Sequence, residues 1–380
     1  VHGRRRDPGG PASRPATDAA GPVPWRTADP AAAGFDAAAL RRIAADARRR
    51  GSTCLVVARD GALVGEWNWQ GVARDEPREV FSVTKSVTST LVGIAQADGD
   101  LAIDDRAAAY VADWRGTDAR AVTVRNLLAN DSGRFWSRAS DYVGLLRATD
   151  RTAYAVGLPQ QSPPGEVWAY NNTAIQTLDR VLASATGEAP ADLARDRLFR
   201  PLGMADTLMT RDASGASTNL SFGMRSTCRD LARFGRLFAQ RGTWQGDEVV
   251  PESWVTEAVG APSQRRNAAY GLLWWLNRRG PLRGPLNTVD ETAPPDVRAV
   301  GRLAPGAPAD LFAALGFGGQ VVLVDPGSRT VVVRLGDPPG PGARPTGSPT
   351  RRGWSPRPCA AEPGPRASPE SRDTPPTGPH

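Results

Sequence analysis

Histidine is almost missing from this chain. Its 380 residues include two, His2 and His380, one at each extreme end. A serine–histidine–acid triad, a histidine-ligated zinc centre and a histidine general base are therefore set aside. Lysine is scarcer still. Of the 47 Lys and Arg residues one is a lysine, Lys85, so any chemistry that needs a lysine amine falls to it. The three cysteines, Cys54, Cys228 and Cys359, are far apart and odd in number. They suggest neither a disulfide framework nor a metal knuckle, and read as two small buried residues and one thiol in the tail. No apolar run approaches the ~20 residues that cross a bilayer, so no membrane span is expected. The chain does not begin with Met, and its first residues lack the apolar core of a signal peptide, which leaves the compartment open.

What is present is a soluble balance, 40% hydrophobic and 23% charged, in a chain long enough for one large enzyme unit. The formal charge of +7 is spread out. Residues 1–22 hold four Arg and two Asp, and residues 337–380 hold six Arg and four acidic groups, leaving +3 for everything between. The run Arg48-Arg49-Arg50 lies within a helical pattern and reads as a solvated face, so no nucleic-acid partner is expected.

Residues 1–22 carry almost no large apolar side chain, and the stretch from Asp337 has 13 Pro and 6 Gly in 44 residues. Both are expected to be disordered, flanking one folded domain over 23–336. Within it, the spacing predicts a helix over 35–50, with Asp36 as N-cap and Leu40, Ile43 and Ala47 on one face. Runs 53–58 and 62–69 around Arg59-Asp60-Gly61, and 320–324 and 330–335 around Asp325-Pro326-Gly327-Ser328, predict two hairpins. Residues 82–97 are apolar nearly all round, which marks a buried helix. Helical patterns continue through 101–215, notably 174–185 and 189–199, and again at 230–240, while 270–276 is a strand candidate. Strand pairs at both ends and helices between them predict an α+β fold. Its antiparallel sheet is built from both chain ends and flanked by helices, with an all-helical subdomain over about 101–219 inserted.

The chemistry-bearing motif is Ser82-Val83-Thr84-Lys85 at the start of the buried helix. Three residues on is the same helix face, so Lys85 reaches Ser82 Oγ. A lysine inside an apolar helix loses the solvation of its ammonium, and the neutral amine that results can take the serine proton. Free backbone N–H groups at the helix start lie near any oxyanion formed on Ser82.

The stretch FSVTKSVTSTLVGIAQADGDLAIDD resembles the nucleophile helix of the serine β-lactamase and penicillin-binding protein superfamily, in particular its class C β-lactamase and family S12 branch. VTVRNLLANDSG, PPGEVWAYNNTAIQTLDRVLASATG, LFRPLGMADT and RSTCRDLARFGRLFAQRGTWQGDEVV are similar to later landmarks of that branch, in order, and the likeness covers about 23–336. The resemblance implies a β-lactamase/transpeptidase-like fold and acyl transfer through Ser82. Tyr170 of Tyr170-Asn171-Asn172 would be the proton shuttle, and Asn172 would hydrogen-bond Lys85 and a substrate amide. Ser217-Thr218-Asn219 is set aside as a chance match, and Glu166 as a base.

Where relatives carry Lys-Thr-Gly or His-x-Gly, this chain has Ala314-Leu315-Gly316, then Phe317-Gly318-Gly319-Gln320. No side-chain cation is supplied there. The Phe317 N–H remains as the second oxyanion donor, with Gly316 and Gly318 allowing close approach of substrate. That ending is similar to esterases and aminohexanoate-dimer hydrolases of the superfamily, in which a second tyrosine assists amide cleavage; Tyr142 falls in the corresponding region. The expectation is a serine hydrolase of small esters or amides that uses no metal or organic cofactor. A D-Ala-D-Ala peptidase or β-lactamase, and a catalytically silent binding protein on the same fold, stay open as alternatives.

Overall fold

The computed structural model describes residues 24–285 and 300–337; the segment 1–22 and nearly all of the Pro-rich stretch, both expected to be disordered, lie outside the described residues, as does Cys359. A seven-stranded sheet forms the frame. Its strands are β1 (Arg26–Thr27), β2 (Ser52–Arg59), β3 (Ala62–Asn68), β4 (Trp275–Leu276), β5 (Phe312–Gly316), β6 (Gln320–Asp325) and β7 (Thr330–Gly336). The spatial order is β1-β3-β2-β7-β6-β5-β4. The two hairpins expected from their turn residues meet in the centre, where β2 pairs antiparallel with β7 from Arg59↔Thr330 onward. The sheet is mixed rather than wholly antiparallel, because the two-residue β1 runs parallel to β3 at the edge. Only Trp275–Leu276 of the candidate strand 270–276 pairs in it.

β2 is buried on both faces and β7 on one, its other face half-buried, and the period of two sorts their side chains. Cys54, Val56 and Ala58 with Val331, Val333 and Leu335 enter the main core, while Val57 and the half-buried Val332 face the other way. There α1 (Ala37–Arg49) lays Leu40 over Val57 and Val64. Asp36 caps α1 through its carboxylate, which accepts from Ala38 N at 2.7 Å. The buried stripe of α1 is Leu40 and Ala44; Ile43, expected on it, is 44% exposed because α1 rests on the sheet along a narrow line. The arginines at its end are exposed as expected, and Arg49 and Arg50 pair with Asp46.

Across the sheet lie α2 (Thr84–Ala97) and α5 (Cys228–Ala239), within the main core. Between them, residues 101–219 are built mainly of helical turns, among them α3 (Asn172–Gln176) and α4 (Leu178–Thr186). The single helix expected over 174–185 is thus two, divided at Thr177, whose hydroxyl donates to Ala174 O at 2.6 Å. The pattern 189–199 likewise changes from α to π winding at Arg195–Phe199. Among the described residues no helix is long and apolar enough to cross a membrane.

The reading of Cys54 and Cys228 as unpaired buried residues is corrected. They form a disulfide, with Cα atoms 6.3 Å apart across 174 residues of sequence. Nothing local announces it, since it depends on α5 settling on β2. Cross-linking so long a loop restricts the unfolded chain, and native disulfides contribute about 2–4 kcal/mol. The double variant Cys54→Ser/Cys228→Ser is expected to melt roughly 5–10 °C lower. Calorimetry of the two proteins checks this, and coincident melts would show the cross-link to be energetically idle.

Candidate active site

Ser82 and Lys85 sit where the chain enters α2. Ser82 lies in a single 3-10 turn, Phe81–Val83, and α2 proper starts at Thr84, so the serine precedes the helix rather than opening it. The turn is held on three sides. Phe81 adopts φ of 49°, a left-handed conformation unusual for a large side chain. The Glu79 carboxylate accepts from Phe81 N at 3.1 Å and from Gly223 N at 3.0 Å. Burial of Glu79 pushes its carboxyl above the usual range, with these two N–H groups acting against the rise. Thr84 Oγ1 donates to Phe81 O at 2.5 Å and accepts from Met224 N at 3.1 Å. Backbone strain at such a turn, about 1–3 kcal/mol, persists where neighbours over-determine it, as here.

Lys85 is 1% exposed. Its ammonium donates to Ser82 Oγ at 2.8 Å and to the Ser221 carbonyl at 2.6 Å, and stands 4.9 Å from the centre of the Tyr170 ring. Burial pulls its pKa down to about 7, with the Asp141 carboxylate acting in the opposite sense. Ser82 is half-buried, and so within reach of a ligand.

Tyr170 and Asn172 are set by Asn171 between them. Asn171 Oδ1 accepts from Ala174 N at 2.8 Å and Thr173 Oγ1 at 2.6 Å, capping α3, while its amide nitrogen donates to Arg134 O and Phe135 O at 3.2 and 3.1 Å. Tyr170 stacks on Trp275, ring centres 5.8 Å apart, and meets Tyr270 edge-on at 6.1 Å. Burial drives its phenol far above the ordinary tyrosine range, a hydrogen bond with Ser82 opposing the rise. Trp274 and Trp275 are buried and Trp136 is half-buried.

Asn172 does not meet Lys85. Its amide nitrogen donates to Asp141 Oδ2 at 2.7 Å, and its buried Oδ1 has no hydrogen-bond partner among the described residues. In place of the expected pair, the Asn172 amide meets Asp141 and the Lys85 ammonium meets the Ser221 carbonyl. Tyr142, half-buried next to Asp141, has its phenol pushed up to about 12 by burial and by the Asp141 charge. Asp141 and Ser221 escape sequence reasoning. The first reads as one more acidic residue beside a tyrosine, and the second acts through its backbone.

β5 supplies the facing wall. Gly316 lies so near the Ser82 turn that a Cβ on it would be 2.3 Å from Val80 O. This contact, with the Phe81 and Phe317 rings 5.6 Å apart, brings the end of β5 to Ser82. Neither the Ser82 nor the Phe317 N–H donates to another described residue. Gly318 has φ of +77°, which suits glycine, in the turn that returns to Gln320. Gln320 Nε2 donates to Phe317 O at 3.1 Å, and Arg334 Nη1 donates to Gly318 O and Gly319 O at 2.8 and 2.7 Å. Ala314 is fully buried and brings no polar group. Ser217, Thr218 and Asn219 serve local structure, through Asp150, Asp179 and Arg151, and Glu166 is exposed.

A family model described as Beta-lactamase matches residues 14–351. The chain is 30% identical over 179 residues to a β-lactamase of Lysobacter lactamgenus, a stretch that is 41% of this chain and 45% of that protein, so it spans less than half of that relative. It is 23% identical over 332 residues to the 6-aminohexanoate-dimer hydrolase of Paenarthrobacter ureafaciens, covering 78% of this chain and 76% of the other. The solved structure of a class C β-lactamase in complex with cefoxitin aligns with a TM-score of 0.56 at 18% identity, over 79% of this chain and 92% of that one. At that identity the likeness bears on the fold alone.

Proposed function

The chain belongs to the beta-lactamase family, and on that premise we propose that it is a serine hydrolase that cleaves small ester or amide bonds through an acyl-Ser82 intermediate. The observation that carries this reading is the 2.8 Å contact between a half-buried serine hydroxyl and the amine of a buried lysine. Lys85 takes the Ser82 proton as Oγ attacks the carbonyl carbon. The oxygen that gains the charge is received by the Ser82 and Phe317 N–H groups. Tyr170 gives its proton to the departing alcohol or amine and is reprotonated from the Lys85 ammonium. In the second half a water attacks the ester, its proton passes back through the same pair, and Ser82 Oγ leaves as the hydroxyl. Tyr142, next to Asp141, assists when the leaving group is an amine.

Substrate preference follows from the missing cation. The strand position that would carry one is Ala314, buried in the core, and the nearby Arg334 donates to Gly318 and Gly319 carbonyls. A charge-assisted hydrogen bond contributes about 1.5–3 kcal/mol, or roughly one to two decades in rate, to a substrate that bears a carboxylate. Neutral short esters and amides are favoured accordingly. The similarity to a 6-aminohexanoate-dimer hydrolase over most of both chains supports a linear amide bond as the one cleaved, though that dimer itself ends in a carboxylate.

The test is kcat/KM on one preparation for a p-nitrophenyl ester, a short linear amide, a chromogenic cephalosporin and a D-Ala-D-Ala peptide. Ester or amide should lead by at least about tenfold. A cephalosporin or D-Ala-D-Ala peptide turned over in preference would replace this reading with a β-lactamase or peptidase one.

A further inference from the structure

One buried charged group of the site has no part in the reaction just described. Asp141 lies in a π-helical turn, Ser140–Gly144, and is 0% exposed. π turns interrupt helices where a side chain must be re-aimed, often at functional sites. A carboxylate removed from water is costly to keep charged unless it is paired and hydrogen-bonded. Asp141 is hydrogen-bonded by groups of the site and feels the Lys85 charge, although burial still pushes its carboxyl up to about 6. Oδ2 accepts from Asn172 Nδ2 at 2.7 Å, and Oδ1 accepts from Thr173 N at 2.8 Å. Its charge acts on Lys85 from α2, on Tyr170 in the turn before α3, and on Tyr142 in its own turn. Arg138, exposed and near Tyr142, is the other charged group on that side.

We propose that Asp141 is a positioning residue of this site: it fixes the Asn172 amide with its nitrogen turned inward, and it provides the negative charge facing Lys85 when that lysine holds the serine proton. The inference rests on the hydrolase reading and deepens it. With Asn172 Nδ2 committed to Asp141, the Oδ1 that has no partner is the atom left to accept from an N–H, which suits an amide better than an ester. Acylation turns the Lys85 amine into an ammonium without solvent, and a fixed carboxylate on the far side lowers the cost of that step.

The readout is the pH dependence of kcat/KM, with that of Ser82 labelling by a fluorophosphonate beside it. Lys85 must be neutral to act, so activity falls on the acid side as it takes up a proton. Asp141 stabilises the ammonium, and its removal lets Lys85 stay neutral to lower pH. Asp141→Asn is therefore expected to move the acid limb down by about one unit, while the maximal kcat/KM drops roughly tenfold and amides lose more than esters. Asp141→Glu keeps the charge, so it should lower the maximum and leave the limb in place. Asp141→Ser is neutral and smaller, and gives the same reading where the asparagine variant does not fold.

A limb unmoved in the neutral variants would leave Asp141 a packing residue and overturn the proposal. So would failure of both neutral variants to fold. Wild-type protein that takes no label on Ser82 fails the hydrolase reading itself; labelling with a limb indifferent to Asp141 fails this inference alone.

Discussion

Ser82→Ala is expected to abolish hydrolysis, by at least about 10³-fold, and to leave the fold intact. The serine is half-buried, in a turn held by Glu79 and Thr84 rather than by its own hydroxyl. Losing one oxygen there creates no apolar cavity and leaves the Lys85 ammonium its bond to the Ser221 carbonyl. Chemically the loss is complete, because no other hydroxyl or thiol donates to or accepts from the lysine amine among the described residues. Intact-mass spectrometry after a fluorophosphonate should show a single adduct on the wild type and none on the variant, at matched melting temperature. An adduct that survives the substitution would place the nucleophile elsewhere; absence of any adduct on the wild type would favour a silent binding protein.

Lys85→Arg is expected to be nearly as damaging as Lys85→Ala, with turnover reduced on the order of 10²-fold or more. Arginine keeps its proton at every working pH and cannot relieve Ser82 of one. The site also has no room for its fork. The ammonium sits between Ser82 Oγ at 2.8 Å and Ser221 O at 2.6 Å, under the face of Tyr170. In the wild type, burial brings the lysine to about 7, so kcat/KM should rise with pH through that region and flatten above it. Substantial activity in the arginine variant, with the same pH profile, would reduce Lys85 to a fixed charge.

The Ser82–Lys85 pair was legible because a helix places residues three apart on one face, and because a lone lysine in an apolar helix has no polar side on which to rest. The two hairpins were legible from their turn residues, and α2 from the absence of a polar stripe. What could not be read needed contacts between distant parts of the chain. The Cys54–Cys228 bond requires α5 to lie on β2. The Lys85–Ser221 contact uses a backbone carbonyl, which every residue has and no pattern announces. Asp141 resembles any surface acid until a π turn buries it, and only then does it take the Asn172 amide away from Lys85. The exposed Ile43 and the divided helix at Thr177 show the ordinary limit of periodicity: it identifies a face but not how wide the surface beneath it is.

The central pairing of β2 with β7 has a consequence for how the protein is made. The strand that leads toward Ser82 finds its partner only at Thr330–Gly336, some 270 residues later. At ribosomal rates of roughly 5–20 residues per second, the first hairpin waits on the order of 15–50 seconds with its inner edge unpaired. During that interval Phe317 has not been synthesised, and the wall that β5 sets beside Ser82 is absent. On the proposed mechanism the nascent chain carries Ser82 without its second oxyanion donor, and full reactivity is expected only when the last strands close the sheet. Folding intermediates should be sticky but chemically harmless, and the moment at which Ser82 first accepts a label would time the insertion of β7.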